Sequence, residues 1–433
     1  MIDVCEQASI GEAFECLRFY ENECKKLGIS AEQTIVKNLQ DAISEGEQLM
    51  QITIKNKILS TKQVQSLSSL IAYDQNNGLT VIDLEGSLNE PQVEIILEAV
   101  LRSPSVEIMN IRNCKCISDR SCTILADGII RGHTLRIIDI SLNDITIQGL
   151  KKLGSAFRSE RCGIQVLRMG QMTPSNSICG SIGYFGQEMR LNTSLLNLVL
   201  AENKLDETNA IEIAQEIQFT PQLAALDLRG NIIGDRGIIA IVKALQTNRT
   251  LLSIILWNNK ITSVGVEVLV NALLTNRTLQ HLDLGMNKIG KEGMKHIVRL
   301  VQGSQTITTL GLAGTEIQTE EIVSLSRALS HNTCLMRLDL RRNLQIGLKG
   351  LYELTRSLES NPSVQCVCLD AEAIIEKAPV GKNRVEVQKE LQKIQIICAE
   401  HVDMFVVKNK QALEAYAEYK AERQDKKTVD QDG

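Results

Sequence analysis

The sequence predicts an α/β solenoid of 28-residue strand–helix repeats, and three observations predict it. The motif LxxLxLxxN recurs with starts at Leu223, Leu251, Leu279, Ile307 and Leu335, each 28 residues after the last. After each motif the apolar spacing changes from alternation to a helical period. In GDRGIIAIVKALQTN, residues 234–248, Ile238, Ile241 and Leu245 share one face. Finally, the 433 residues are 43% hydrophobic but only 3% aromatic, a composition that fills thin layers of Leu, Ile, Val and Ala better than one large core.

Taken in order, residues 1–48 form the predicted N-terminal helical cap, carried by FECLRFYENECKK and IVKNLQDAISEG. Residues 49–376 form the repeat domain, and residues 377–433 a C-terminal helix with a charged tail; the two ends shield an open solenoid. Looser motif copies start at Leu79, Val106, Leu135, Ile164, Leu195 and Val364, and a degenerate one at Leu49, giving eleven clear copies and a twelfth. The first, fourth and sixth motif positions point into the core and the third, fifth and seventh away from it. Stacked strands pair as a parallel sheet. At roughly 4.8 Å per strand they line a concave surface about 50 Å long, with the sheet on the concave side of a leucine-rich-repeat horseshoe. The motif's closing Asn both donates and accepts, so it can satisfy backbone groups where the strand turns away. Gly234, Gly265 and Gly290 are expected where the chain bends into its helix. The repeat from Ile164 runs 31 residues and has Met172 in place of the asparagine; GQMTPSNSICGSIGYFGQ predicts a bulged loop there.

Several function classes drop out. A net charge of -5 without a basic stripe argues against nucleic acid. No run of 18 apolar residues and no basic leader argue against a membrane span or secretion, so a soluble cytoplasmic monomer is expected, with the nucleus also open. Twelve cysteines without a CxxC pair, and five histidines without zinc spacing, read as reduced thiols with no metal or cofactor. NRT at Asn248 and Asn276 falls at one point of the repeat, where turn chemistry explains it without a sugar. GMNKIGKE, residues 285–292, has P-loop spacing, but Glu292 stands where a magnesium-binding hydroxyl is required, and sister repeats show NIIGDRG and NKITSVG at the same place. With no GxSxG, HExxH or GxGxxG, nothing calls for catalysis.

The outward columns carry the binding prediction. Five aspartates share the fifth position: Asp83, Asp139, Asp227, Asp283 and Asp339. Trp257, the sole tryptophan, is expected to be exposed beside Ile255 as an apolar anchor. Asp227, Asp283 and Asp339 with Arg229, Arg341 and Arg342 are expected to orient a partner. For any single aspartate the favoured reading is a solvated face offset by Arg229, Arg337, Arg341 and Arg342 in cross-strand pairs.

The segments LVLAENKLDETNAIEIAQEIQ, LLSIILWNNKITSVGVEVL, LGLAGTEI and EVQKELQKIQ resemble the protein phosphatase 1 regulatory subunit 37 family of leucine-rich-repeat proteins, over a stretch from about residue 10 to about residue 400. The resemblance implies a non-enzymatic subunit that binds the phosphatase catalytic subunit and restrains it. Docking in that family uses a basic-Val/Ile-x-Phe/Trp peptide outside the repeats. Here only Ile217-Gln218-Phe219 and Ile255-Leu256-Trp257 have the apolar spacing; both lie inside repeats, and Glu216 and Ile254 precede them. Phosphatase contact would therefore use the concave face or be absent. A general protein-interaction scaffold and, third, a GTPase-activating protein remain open.

Overall fold

In a computed structural model of the chain, residues 4–73, 78–172, 182–381 and 383–402 are described. The predicted bulged loop lies mostly outside them, as does the charged tail. The chain forms two compact units, residues 1–261 and 262–433.

The first unit opens with α1 (Val4–Leu27) and α2 (Gln33–Glu45), which pack on each other. Tyr20, Ile35 and Leu39 are almost fully buried, and Gly46 adopts a left-handed conformation that stops α2. Strands and helices then alternate: β1 (Gln51–Thr53), α3 (Thr61–Ile71), β2 (Val81–Asp83), α4 (Glu90–Val100), β3 (Ile108–Asn110), β4 (Lys115–Cys116), α5 (Asp119–Arg131) and β5 (Ile137–Asp139). They continue through β6 (Asn143–Asp144), α6 (Ile147–Phe157), β7 (Val166–Arg168), α7 (Ile182–Met189), β8 (Asn197–Val199), α8 (Glu207–Ile217), β9 (Ala225–Asp227), α9 (Gly234–Thr247) and β10 (Ser253–Ile255). The spatial order is β1-β2-β3-β5-β7-β8-β9-β10, all parallel, while β4 pairs with β6 alone.

The second unit contains α10 (Ser263–Leu273), β11 (His281–Asp283), α11 (Gly290–Gly303), β12 (Thr309–Gly311), α12 (Thr319–Leu329), β13 (Arg337–Asp339), α13 (Leu348–Ser360), β14 (Cys366–Cys368), α14 (Ala371–Lys377) and a last helix described over 383–402. Its four strands pair in parallel in chain order. Each unit is built as a leucine-rich-repeat solenoid, and every motif start, the degenerate Leu49 included, leads into a strand of this series.

Register follows the motif. Ser253, Ile254 and Ile255 lie against Ala225, Leu226 and Asp227, so equal motif positions align across the sheet. Leu223, Leu226 and Leu228 of one repeat are at most 2% exposed. Burying each such leucine is worth roughly 1.5–3 kcal/mol, and no repeat could bury its three without neighbours.

Two ladders of side chains replace missing backbone partners. At motif position nine, Asn231 Nδ2 donates to the carbonyls of Leu228 at 2.7 Å and Leu200 at 3.1 Å, while its Oδ1 accepts from the Asn203 and Leu205 N–H groups at 2.9 and 3.1 Å. Asn343 repeats this arrangement in the second unit, with Thr315 and Ile317 as donors. Met172 has no side-chain donor, and there only its backbone N–H joins the ladder, at 2.9 Å from Asn203 Oδ1. The second ladder sits where helices end. Asn248 Nδ2 donates to the Ile217 carbonyl at 2.9 Å, and its Oδ1 accepts from the Leu251 N–H at 2.8 Å. Asn248 and Asn276 are 3% and 5% exposed, which leaves no room for a sugar on either NRT.

Motif position eight is left-handed in every copy before the last, whatever its residue: φ is 57° at Leu142, 50° at Gln171, 58° at Glu202, 68° at Gly230, 51° at Asn258 and 56° at Met286, while in the last copy Ala371 opens α14 instead. The turn after the strand demands it. A second left-handed residue follows, either Gly234 and Gly290 at φ 63° and 60°, or Lys204 and Lys260 at 57° and 58°. Gly265 departs from expectation, because it lies inside α10 rather than at the bend. Lys260 is exposed and strained, so Lys260→Gly is expected to stabilise the first unit by about 0.5–1 kcal/mol, read as a raised urea midpoint at unchanged slope.

Candidate protein-binding surface

The side chains at motif positions three, five and seven stand on the sheet face opposite the core. The aspartates of position five serve the backbone there. Asp139 Oδ1 accepts from the Ser141 N–H at 2.9 Å, Asp227 from Arg229 at 3.0 Å, Asp283 from Gly285 at 2.9 Å and Asp339 from Arg341 at 3.1 Å. Asn110 does the same for Arg112 at 2.9 Å. Each is a turn in which a short polar side chain caps the N–H two residues on, ending the strand.

The predicted arginine partners fold back onto these turns. Arg229 Nη2 lies 2.6 Å from Asp227, whose side chain is 9% exposed. Arg341 Nη2 lies 2.5 Å from Asp339. Burial works to raise the Asp339 carboxyl, but hydrogen bonds and charge from Arg341 outweigh it and hold the group below its ordinary range, while Arg341 itself is pushed up. Arg342 is exposed; its backbone N–H donates to Asp370 at 2.6 Å and its guanidinium lies 3.8 Å from the Met286 sulfur. Ile255 and Trp257 are both half-buried, whereas the sequence predicts Trp257 to be exposed. The Trp257 carbonyl accepts from Gly230 N–H at 2.8 Å and from Asn259 Nδ2 at 3.1 Å, which fixes its backbone in the sheet ladder.

The first unit's sheet face also holds an open depression of about 480 Å³. Its floor is made of short side chains: Ser141, Gly170 and Ala201 in successive seventh positions, with Val199 and Ala225 beside them. A Cβ at Gly170 would crowd the Ala201 carbonyl oxygen, at 3.2 Å. Arg112, Arg168, Arg229, Gln171, Glu202 and Ile255 also line it. Arg112 reaches toward Gln171 Oε1 at 3.4 Å and Glu85 at 3.5 Å. Arg168 is exposed, and its guanidinium has no ionic or hydrogen-bonding partner among the described residues. Sequence reasoning missed Arg168, although the run Ser141, Gly170, Ala201 in one column already marks a gap in the face.

Among the described residues, no cluster of His, Cys, Asp and Glu could hold a metal ion, and no helix is long and apolar enough to cross a membrane.

A family model described as Leucine Rich repeat matches residues 133–154, 223–242, 275–298 and 331–354. The chain is 26% identical over 183 residues to human NACHT, LRR and PYD domains-containing protein 14, which covers 41% of this chain and 16% of that protein. It is 27% identical over 134 residues to human NACHT, LRR and PYD domains-containing protein 13, covering 30% and 12% respectively. The chain thus spans less than a fifth of either relative's length. A chain of the yeast Rad7 and Elc1 complex matches with a TM-score of 0.50 at 16% identity, covering 86% of this chain and 91% of that one, a likeness of fold alone. Repeats of this family generally build non-catalytic protein-interaction scaffolds.

Proposed function

We propose that this leucine-rich-repeat chain is a non-enzymatic regulator that takes a protein partner on its sheet face. The observation that supports the reading is the open depression between Arg168 and Ile255, bordered by side chains of both charges and by half-buried apolar side chains. The family resemblance makes the protein phosphatase 1 catalytic subunit the first partner to test, restrained by being covered. On the first unit Trp257 and Ile255 would supply the apolar anchor; the second unit carries its own candidate polar contacts, Asp283, Asp339, Arg341 and Arg342.

Titration of purified catalytic subunit against the full chain tests this. Micromolar or tighter binding is expected, weakened about tenfold or more by Trp257→Ala. Asp283→Asn removes a charge while keeping the turn that Asn110 shows an amide can make, so a change there reports on the charge itself. Binding that ignores these substitutions would place the partner elsewhere. No binding at all would remove the phosphatase and leave the general scaffold.

A further inference from the structure

We propose that the depression on the sheet face of residues 1–261 receives an extended segment of the partner that carries an aspartate or glutamate four residues away from a bulky apolar residue. The carboxylate sits between Arg168 and Arg112, and the apolar side chain rests on Ile255. This deepens the proposed function and rests on it.

The acidic end follows from which charges are already satisfied. Arg229 is held by its own Asp227 at 2.6 Å. Arg112 is held more loosely, by Glu85 at 3.5 Å and Gln171 Oε1 at 3.4 Å, and the Arg168 guanidinium has no partner among the described residues. Gln171 follows closely after the strand that bears Arg168, so the Arg112 guanidinium reaches toward the same part of the face. Two forked donors lining one depression with Ser141, Gly170 and Ala201 suit a planar carboxylate, which Arg binds through two parallel N–H groups. Asp139, Asp227 and Glu202 line the same depression, so a doubly charged phosphate would meet more repulsion than a singly charged carboxylate.

The spacing follows from the sheet. Arg168 on β7 and Ile255 on β10 are separated by three strand-to-strand steps through β8 and β9, about 14 Å. An extended chain rises roughly 3.3 Å per residue, so about four residues cover that distance. An even separation also puts both side chains on the same side of the segment. Val199 and Ala225, half-buried between the two ends, leave a shallow apolar track for the residues between them.

Selection of randomised linear peptides on the full chain, followed by fluorescence anisotropy of the enriched sequences, tests the proposal. Enrichment of Asp or Glu four positions from Leu, Ile, Phe or Trp is expected. Arg168→Ala and Ile255→Asp should each weaken the best peptide at least about tenfold, the range for losing one charge-assisted contact or one apolar anchor. Arg102→Ala, on the exposed end of a helix, should leave it unchanged. Moving the acid to three or five positions away should abolish binding. Peptides lost with Ile255→Asp but indifferent to Arg168→Ala would overturn the acidic anchor while sparing the protein-binding face. Peptides indifferent to both would overturn the face as well, and tighter binding of a phosphoserine in place of the acid would overturn the choice of carboxylate.

Discussion

Asn231→Ala is expected to destabilise the first unit by about 3–6 kcal/mol, a large loss for one polar side chain. The amide makes four hydrogen bonds of 2.7–3.1 Å to the carbonyls of Leu200 and Leu228 and the N–H groups of Asn203 and Leu205. Asn231 is 2% exposed, so water does not replace them without the turn opening. Alanine takes the acceptor from the buried Asn203 and Leu205 N–H groups and a donor from the Leu200 carbonyl, each loss costing roughly 1–3 kcal/mol less whatever the turn recovers by relaxing, while the Leu228 carbonyl keeps Asn259 Nδ2 at 2.8 Å. Asn231→Asp separates the donor role from the acceptor role, since it keeps the acceptor for Asn203 and Leu205 but turns an anionic oxygen toward the Leu200 and Leu228 carbonyls. It should therefore destabilise as much as alanine. Native-state hydrogen exchange reads the effect locally, as lost protection at the Asn203 and Leu205 amides. Retained protection there, with a stability change under about 1 kcal/mol, would mean the ladder follows the turn rather than holding it.

That asparagine was legible in the sequence because its spacing repeats, and so was the core. Leu223, Leu226 and Leu228 recur at fixed offsets and are buried as their frame requires. What repeats less visibly was missed. The left-handed column at position eight holds Leu142, Gln171, Glu202 and Met286, residues with no common chemistry, because the turn imposes the conformation and each repeat tolerates the strain. Gly265 misled for the converse reason, being a glycine where no special conformation exists. The capping role of the aspartate column was not legible, because composition cannot show that a carboxylate faces its own backbone; Asp227 and Asp339 are engaged by the residue two positions on. Arg168 stands out only once Arg229, on the same sheet face, is seen to be committed to Asp227 and the Arg168 guanidinium is not.

Stability should fall as pH drops from about 6.5 toward 4, and His133 is the group expected to drive the fall. Its ring lies between α5 and β5, where Nδ1 accepts from the Leu135 N–H at 2.9 Å. Nε2 therefore carries the proton, and it is buried without a hydrogen-bond partner among the described residues. Burial, aided by the Arg136 charge, lowers the pKa from 6.5 to about 4. A folded-state pKa below the unfolded value means that the unfolded chain binds the proton first, so stability is complete above pH 6.5 and is lost as pH falls through 4. With the ring partly exposed, the loss is on the order of 2 kcal/mol. Asparagine can accept the same backbone N–H without titrating, as Asn248 does for Thr250 at 3.0 Å. His133→Asn should therefore flatten the profile of melting temperature between about pH 6.5 and about pH 4.5 while changing little at about pH 7.5. Parallel profiles for the two proteins, or a His133 resonance that titrates near 6.5, would show that the folded chain accommodates the imidazolium and that another group sets its acid limit.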